Sequence, residues 1–189
     1  MLPMTDRVRA VFLDRDGTLN TEKEYLSDPA QLELYPGVRN ALKQLAGAGF
    51  ILFVVTNQSG IGRGYYTEAD MHRVNERLSV MLAESGVALR KIFFAPEAPE
   101  QPSRGRKPSP QFLYDARDEF SVDLGRSFMI GDKLIDLQCG WNAGVQRSIL
   151  VRTGYGRKVE AEQIGLAERA WIVDDLTVAA AKILADPPA

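Results

Sequence analysis

The sequence of 189 residues contains one cysteine and one histidine, Cys139 and His72. A single cysteine excludes an internal disulfide and a zinc site built on several thiolates. A single histidine excludes a metal site with two imidazoles, and any catalytic triad would have to be built around His72. We therefore expect any chemistry in this chain to depend on carboxylates, hydroxyls, lysine, arginine and a hard metal ion.

The chain also lacks long apolar runs and an excess of charge of either sign. Its most apolar stretch, Phe50 to Val55, is far too short to cross a bilayer, and the N-terminal residues lack the apolar core of a secretory signal. The formal net charge of −2 creates no broad field that would attract nucleic acid or an anionic membrane. We expect one cytoplasmic domain over residues 1–189, a monomer that binds neither nucleic acid nor a membrane.

Short β-branched and aromatic runs alternate with helical patterns along the chain. The runs interpreted as strands are Val8–Leu13, Phe50–Val55, Lys91–Phe94, Ser127–Ile130, Ser148–Val151 and Ala170–Val173. Helices are predicted at Val38–Ala46, from Thr67 to Gly86, and at Pro110–Phe120, Leu134–Ala143 and Leu176–Leu184. This alternation predicts an α/β fold, a three-layer Rossmann-like sandwich with a mostly parallel sheet and helices on both faces.

Polar segments follow four of the predicted strands, and ligands of open parallel sheets bind at the carboxyl ends of the strands. The segments are Asp14-Arg15-Asp16-Gly17-Thr18, Thr56-Asn57-Gln58-Ser59-Gly60, Arg106-Lys107-Pro108 and Gly131-Asp132-Lys133, the last with Asp136 one helical turn later. The spacing between them leaves no room for a large cap domain. Specificity is therefore expected from three loops, at residues 22–34, 61–66 and 95–105.

Each segment alone has a structural explanation as a turn, a solvated loop, an exposed basic pair or a helix cap. Together they favour phosphoryl transfer, because Asp14 and Asp132 offer the oxygen ligands that Mg²⁺ prefers. A carboxylate can attack phosphorus, with the metal and Lys107 screening the negative charges. Asp16 would then protonate the leaving oxygen, which requires surroundings that keep it protonated part of the time. Thr56 and the N–H groups after it would hold the phosphoryl oxygens.

The four segments, spanning residues 11–136, resemble the motifs of the haloacid dehalogenase-type phosphatase superfamily, and within it the heptose bisphosphate and histidinol-phosphate phosphatases. The resemblance implies that Asp14 is the nucleophile and a metal ligand. It implies a general acid/base role for Asp16, whose backbone carbonyl also binds the metal, and phosphoryl stabilisation by Thr56 and Lys107. Asp132 would complete the Mg²⁺ site. Asp136 would orient its neighbours.

The resemblance also implies a substrate and the residues that bind it. The expected reaction removes the 7-phosphate of a heptose 1,7-bisphosphate, a small-molecule step in the synthesis of the lipopolysaccharide core. The substrate-binding positions implied are Glu22, Tyr25, Asn57, Gln58, Ser59, Arg106 and Lys133. The planar guanidinium of Arg106 suits bidentate contact with the phosphate that is not cleaved.

One departure from the family pattern concerns zinc. The family usually binds a structural zinc through Cys-x-His and Cys-x-Cys before the Arg-Lys-Pro, but this chain has Ala95-Pro96-Glu97 and Ser103-Arg104-Gly105 there. We expect no zinc. Instead, Pro96, Pro99 and Pro102 are expected to restrict the loop, because each fixes one backbone angle.

Three other functions compete with this interpretation. Histidinol phosphate is the nearest rival substrate. A polynucleotide 3′-phosphatase would share the second motif, Thr56 to Gly64, although the net charge of −2 does not favour it. A non-catalytic binding module is the third, and the presence of both Asp14 and Asp16 argues against it.

Overall fold

The computed structural model describes residues 7–186. Six parallel strands form one sheet in the order β3-β2-β1-β4-β5-β6. The strands are β1 (Ala10–Leu13), β2 (Ile51–Asn57), β3 (Lys91–Ala95), β4 (Phe128–Gly131), β5 (Arg147–Val151) and β6 (Trp171–Val173). All six strands predicted from the apolar runs are present, with bounds shifted by one or two residues.

Helices cover both faces of the sheet, as predicted. They are α1 (Val38–Gly47), α2 (Ser59–Gly62), α3 (Glu68–Ala83), α4 (Gln111–Phe120), α5 (Leu134–Ala143), α6 (Gly156–Glu162), α7 (Leu166–Arg169) and α8 (Leu176–Ala185). Apolar side chains of α1, α3 and α8 share one buried cluster, whereas those of α4 and α5 share another on the opposite face. None of the helices within residues 7–186 has the length and apolar character that a membrane span requires.

Strand β1 shows why the central strands read as continuous apolar runs. Val11 and Leu13 belong to the cluster under α1, α3 and α8, whereas Ala10 and Phe12 belong to the cluster under α4 and α5. Successive side chains of a strand point to opposite faces, so a strand covered on both faces must be apolar at every position. Because β1 is buried on both faces, Asp14 is the first polar residue that the chain reaches from Ala10 onward, directly after the strand at the carboxyl edge of the sheet.

Three short helices, α2, α6 and α7, were not predicted. Each is too short to produce a periodic apolar stripe, and such short helices depend on tertiary contacts rather than on intrinsic propensity. Helix α6 begins at Gly156, where a Cβ atom would lie 1.8 Å from the carbonyl oxygen of Val151. This close approach of the helix to β5 is a tertiary feature that the local sequence does not reveal.

The strand order reverses at β1, which is flanked by β2 on one side and by β4 on the other. Crossover connections therefore leave a crevice at the carboxyl ends of β1 and β4, the usual position of a ligand site in such sheets. Asp14 follows β1 and Asp132 follows β4 at this crevice. Within residues 7–186, the connections between strands form loops and short helices and contain no separate cap domain.

Candidate active site

Three carboxylates meet at the crevice. Asp14 continues β1, its N–H donating to the carbonyl oxygen of Ile130 at 2.9 Å. Asp132 follows β4, and Asp136 lies in the first turn of α5, where it accepts a hydrogen bond from the N–H of Lys133. One carboxylate oxygen from each aspartate lies within 4.8 Å of the others, and all three side chains are buried.

Lys107 is the buried counter-charge of this cluster. Its Nζ lies 2.7 Å from Asp14 Oδ1 and 2.6 Å from Asp136 Oδ1, and it also donates to the carbonyl oxygen of Val55 at 2.7 Å. Burial alone would lower the pKa of Lys107, but Asp136 and Asp14 outweigh it and hold the pKa above its usual range. The cluster therefore contains three carboxyl groups and one lysine ammonium, which stays protonated at neutral pH.

Burial and the neighbouring negative charges raise the pKa of two of the carboxyls. Burial, with the charges of Asp14 and Asp136, raises the pKa of Asp132 to about 8. Burial and Asp14 raise the pKa of Asp136 to about 6, against the opposing effect of Lys107. Asp132 Oδ1 is buried and has no hydrogen-bond partner among the described residues. A cluster of carboxylate oxygens in which one buried oxygen lacks a hydrogen-bond partner is a suitable binding site for a hard divalent cation.

Two glycines let the backbone pack directly against Asp132. Gly17 has φ +82°, and a Cβ on it would lie 2.2 Å from Asp132 Oδ2; a Cβ on Gly154 would meet the same oxygen at 2.2 Å. Thr153 Oγ1 donates to the Gly17 carbonyl at 2.6 Å, and the N–H of Tyr155 donates to Asp132 Oδ2 at 2.8 Å. The segment after β5 thus supports the carboxylate cluster.

Sequence reasoning missed this fifth strand end. The Arg152-Thr153-Gly154-Tyr155 segment follows an apolar run that was interpreted correctly as a strand. The rule applied to the other four strand ends would have identified it, because every parallel strand delivers its next residues to the same edge.

Asp16 is held by hydrogen bonds on both carboxylate oxygens. Asn20 Nδ2 donates to Oδ1 at 2.9 Å, and Arg15 Nη2 and Gln58 Nε2 donate to Oδ2 at 2.9 and 3.0 Å. Burial alone would raise the pKa of Asp16, but the Arg15 charge and the hydrogen bonds keep it below its usual value. The sequence-based expectation that its surroundings keep Asp16 partly protonated is therefore not met by the protein groups around it.

The polar residues at the carboxyl end of β2 and directly after it form hydrogen bonds with other protein groups. Asn57 Nδ2 donates to the Lys107 carbonyl at 3.2 Å, and its Oδ1 accepts from the Lys107 N–H at 3.0 Å. Gln58 Nε2 donates to Thr56 Oγ1 at 2.8 Å, and its Oε1 accepts from the hydroxyl of Tyr66 at 2.6 Å. These contacts fix the end of β2 relative to Asp16 and Lys107.

Two adjoining cavities open over these side chains. The smaller, of about 150 Å³, is lined by Asp14, Asp16, Thr56, Asn57, Ser59, Arg106, Lys107, Lys133, Ile135 and Asp136. The larger, of about 280 Å³, is lined by Asp16, Glu22, Glu24, Tyr25, Leu26, Asn57, Gln58, Ser59, Tyr66, Lys133 and Tyr155. Every site residue predicted from the sequence lines one of them except Asp132, which is buried in the carboxylate cluster.

Side chains from distant loops border the two cavities. Lys133 Nζ lies 3.0 Å from Glu22 Oε2 and 4.8 Å from the ring centre of Tyr155. Arg106 Nη1 donates to the Glu97 carbonyl at 3.0 Å, and Ser103 Oγ donates to Glu97 Oε2 at 2.7 Å. The segment at residues 95–105, where the family resemblance implies zinc ligands, is thus supported by hydrogen bonds, while the absence of zinc stays a prediction.

Comparisons with known proteins agree with this geometry. A family model described as polynucleotide kinase 3 phosphatase matches residues 9–137, and one described as HAD-hydrolase-like matches residues 105–179. The D-glycero-beta-D-manno-heptose-1,7-bisphosphate 7-phosphatase of Yersinia pestis is 38% identical over 180 residues, covering 92% of this chain and 94% of that protein. The enzyme of the same name from Escherichia coli K12 is 39% identical over 180 residues, covering 92% of this chain and 92% of that protein.

Solved structures show the same relationship. The D,D-heptose 1.7-bisphosphate phosphatase from B. bronchiseptica, complexed with magnesium and phosphate, superposes with a TM-score of 0.87 at 33% identity, covering 93% of this chain and 98% of that one. The fold and the carboxylate site define this chain as a phosphatase of the haloacid dehalogenase type. The chain belongs to the family of the D-glycero-D-manno-heptose-1,7-bisphosphate 7-phosphatases.

Proposed function

We propose that this enzyme removes the 7-phosphate of D-glycero-D-manno-heptose 1,7-bisphosphate in a Mg²⁺-dependent reaction, as a step in lipopolysaccharide core synthesis. The observation that carries the proposal is the pair of adjoining cavities. The smaller cavity contains the groups needed for phosphoryl transfer, and the larger has the size and polarity for a sugar. The relatives' names specify the β anomer, which is therefore the first substrate to test.

In the smaller cavity, Asp14 is the proposed nucleophile. Lys107 donates to Asp14 Oδ1, which directs the carboxylate and reduces its repulsion of a phosphate dianion. An oxygen of Asp14 forms a bond to phosphorus as the bond from phosphorus to the sugar oxygen breaks. The bonding electron pair leaves with the sugar oxygen. Thr56 and Lys107 hold the phosphoryl oxygens during the transfer.

Asp16 is the proposed general acid and base. It gives a proton to the departing sugar oxygen, then takes one from the water that attacks the aspartyl-phosphate, which releases phosphate and restores Asp14. Although burial acts in the opposite direction, the charge of Arg15 and the hydrogen bonds hold the pKa of Asp16 below the usual value. A phosphate dianion bound beside Asp16 raises that pKa, because a nearby like charge disfavours ionisation. The acid form therefore belongs to the substrate complex.

Asp14 and Asp132, with the backbone carbonyl of Asp16, are the proposed ligands of Mg²⁺. The unpaired Oδ1 of Asp132 and the raised pKa of this carboxyl fit a cation at that position. A bound Mg²⁺ supplies positive charge that offsets the negative charge of nucleophile and phosphate. Asp136 is ion-paired with Lys107 and caps α5, which supports its proposed role in orienting that lysine.

The larger cavity is the proposed site for the sugar and its second phosphate. The carboxylate of Glu22 can accept hydrogen bonds from sugar hydroxyls, and the ring of Tyr25 lies at the rim. Lys133 lines both cavities, and Arg106 lines the smaller one, so both cations can contact a phosphate. Ser59 also lines both cavities. Asn57 and Gln58 act on the substrate mainly by fixing Lys107, Thr56 and Asp16.

The test is phosphate release from both anomers of the heptose 1,7-bisphosphate, from histidinol phosphate and from 3′-phosphorylated DNA, with Mg²⁺ and with EDTA. We expect the bisphosphate to have the highest kcat/KM, and ³¹P NMR to show that the product retains the phosphate on C1. Asp14→Asn should reduce turnover by at least about 10³-fold, because it removes the nucleophile. Preference for histidinol phosphate or DNA would reject the proposed substrate, and full turnover by Asp14→Asn would reject the covalent mechanism.

A further inference from the structure

Helix α3 contains a buried polar residue within its apolar stripe. Met71, Val74, Leu78 and Leu82 are fully buried, and Asn75 lies among them with 6% of its surface exposed. A buried amide is costly unless it forms hydrogen bonds. Asn75 Oδ1 accepts one from Arg15 Nη1 at 2.9 Å, across 60 residues of sequence.

Arg15 lies between Asn75 and Asp16 and has no exposed surface. Its Nε and Nη2 donate to Asp16 Oδ2 at 3.1 and 2.9 Å, and Nη2 also donates to Gln58 Oε1 at 3.1 Å. The guanidinium is planar, so fixing Nη1 on Asn75 fixes the direction of the other two nitrogens. Neither Arg15 nor Asn75 lines the two cavities.

We propose that Asn75 and Arg15 are positioning residues, which hold the carboxyl of Asp16 where it can protonate the leaving oxygen of the substrate. This inference rests on the proposed function, because it assumes that Asp16 is the general acid. Without the acceptor on Asn75, Arg15 Nη1 is left unpaired in the core, and the guanidinium turns toward another acceptor. Asp16 then loses the two hydrogen bonds that fix Oδ2 on this side.

Misplacing a general acid affects substrates unequally. A sugar alkoxide is a poor leaving group and needs a proton as the bond from phosphorus to oxygen breaks, whereas p-nitrophenolate leaves without one. The value of kcat/KM reports on steps up to and including this bond cleavage. A loss confined to the positioning of Asp16 therefore lowers kcat/KM for the sugar phosphate and spares p-nitrophenyl phosphate.

The experiment compares the two substrates in the wild-type protein and in Asn75→Leu, at saturating Mg²⁺. We expect Asn75→Leu to lower kcat/KM for the heptose bisphosphate by about 10- to 100-fold and for p-nitrophenyl phosphate by less than about threefold. Ser79→Ala is the matched control on the same helix, because Ser79 Oγ donates to the backbone carbonyl of Asn75 and not to its side-chain amide. It should leave the ratio of the two values unchanged.

Arg15→Lys tests the same inference if Asn75→Leu does not fold. It keeps a positive charge but cannot contact Asp16, Gln58 and Asn75 together, so the same selective loss is expected. Equal losses for both substrates in the variant that folds would overturn the inference and indicate a structural role only. Failure of the wild-type protein to hydrolyse either substrate would instead contradict the proposed function, which separates the two outcomes.

Discussion

Replacing Asp132 by asparagine is expected to stabilise the metal-free protein while removing its activity. The side chain of Asp132 is fully buried beside Asp14 and Asp136, and Lys107 forms ion pairs with those two carboxylates but not with Asp132. The carboxylate of Asp132 therefore adds to an uncompensated negative charge in the absence of a cation. Asparagine has nearly the same shape, keeps an oxygen that can accept from the Tyr155 N–H, and carries no charge.

The magnitude follows from the geometry of the cluster. Two unit charges 4.8 Å apart repel by about 3.5 kcal/mol at an effective dielectric constant of about 20. Lys107 and Lys133 offset part of this repulsion, and the wild-type site can also retain a proton. We therefore expect asparagine to increase the free energy of unfolding by about 1–3 kcal/mol under mildly alkaline conditions, or Tm by roughly 3–10 °C.

The pH dependence has a definite sign. The pKa of Asp132 is raised from 3.8 to about 8 in the folded protein, so the folded state binds one more proton than the unfolded state between these values. Stability of the metal-free wild-type protein must then fall as the pH rises through that window. Below it, Asp132 is protonated in both states. The advantage of Asp132→Asn should therefore shrink as the pH falls through this window, be much smaller near pH 5 than near pH 8.5, and disappear below the window.

Thermal melting with EDTA or with Mg²⁺, near pH 5 and near pH 8.5, measures both effects. Mg²⁺ should raise the Tm of the wild-type protein at the higher pH and have little effect on Asp132→Asn, which lacks a ligand. Asp118→Asn, an exposed carboxylate outside the site, is the control and should behave like the wild type. A Tm of Asp132→Asn at or below that of the wild type in EDTA near pH 8.5 would refute the reasoning.

Four further predictions concern the same site. Lys107→Met should have the opposite effect on stability, because it leaves the carboxylates of Asp14 and Asp136 without their ion-pair partner. Urea titration should show that the free energy of unfolding falls by about 3–5 kcal/mol. An unchanged free energy of unfolding would contradict a stabilising role for these ion pairs. Calorimetry in buffers of different ionisation enthalpy should show that Mg²⁺ binding releases protons and that its affinity increases from pH 6 to 8. The reason is that the carboxyls of Asp136 and Asp132, with pKa values of about 6 and 8, must ionise before the cation binds. An affinity for Mg²⁺ that does not change with pH would contradict this coupling. Gly154→Ala should weaken Mg²⁺ binding in the same assay, since its Cβ would lie 2.2 Å from Asp132 Oδ2, whereas Gly165→Ala, with positive φ but no contact under 3.9 Å, should not. Elemental analysis of the purified protein should find no stoichiometric zinc; one zinc per chain would contradict the expectation drawn from Ala95-Pro96-Glu97 and Ser103-Arg104-Gly105.

The strands and the long helices could be predicted because their burial is periodic. Strand β1 is apolar at every position because both faces are covered. Helix α3 begins directly after Thr67, whose side chain forms a capping box with Asp70. Once the strands are known to be parallel, Asp14, Thr56 and Asp132 must lie along one edge of the sheet. The position of the site can therefore be predicted from a local sequence pattern, namely polar residues that directly follow apolar strand segments.

The support of the site could not be predicted in the same way. Asn75 reads as an interruption of the apolar stripe on α3, and only the packing of α3 on the sheet brings it to Arg15. The Pro-rich segment predicts a loop, but the hydrogen bonds among Glu97, Ser103 and Arg106 depend on the path of that loop in space. No periodicity in the sequence encodes such contacts.

The ionisation of the site shows the same division. From the sequence, Asp16 needed surroundings that favour its protonated form, but the folded chain places Arg15, Asn20 and Gln58 on its carboxylate and favours the ionised form. A pKa depends on burial and on charges within a few ångströms, which are properties of the tertiary structure. The sequence by itself determined which chemical groups lie at the carboxyl edge of the sheet, because those groups directly follow the apolar segments that form parallel strands. Only the tertiary structure decided which partners those groups meet, because residues as far apart as Arg15 and Asn75 come into contact only when the helices pack on the sheet.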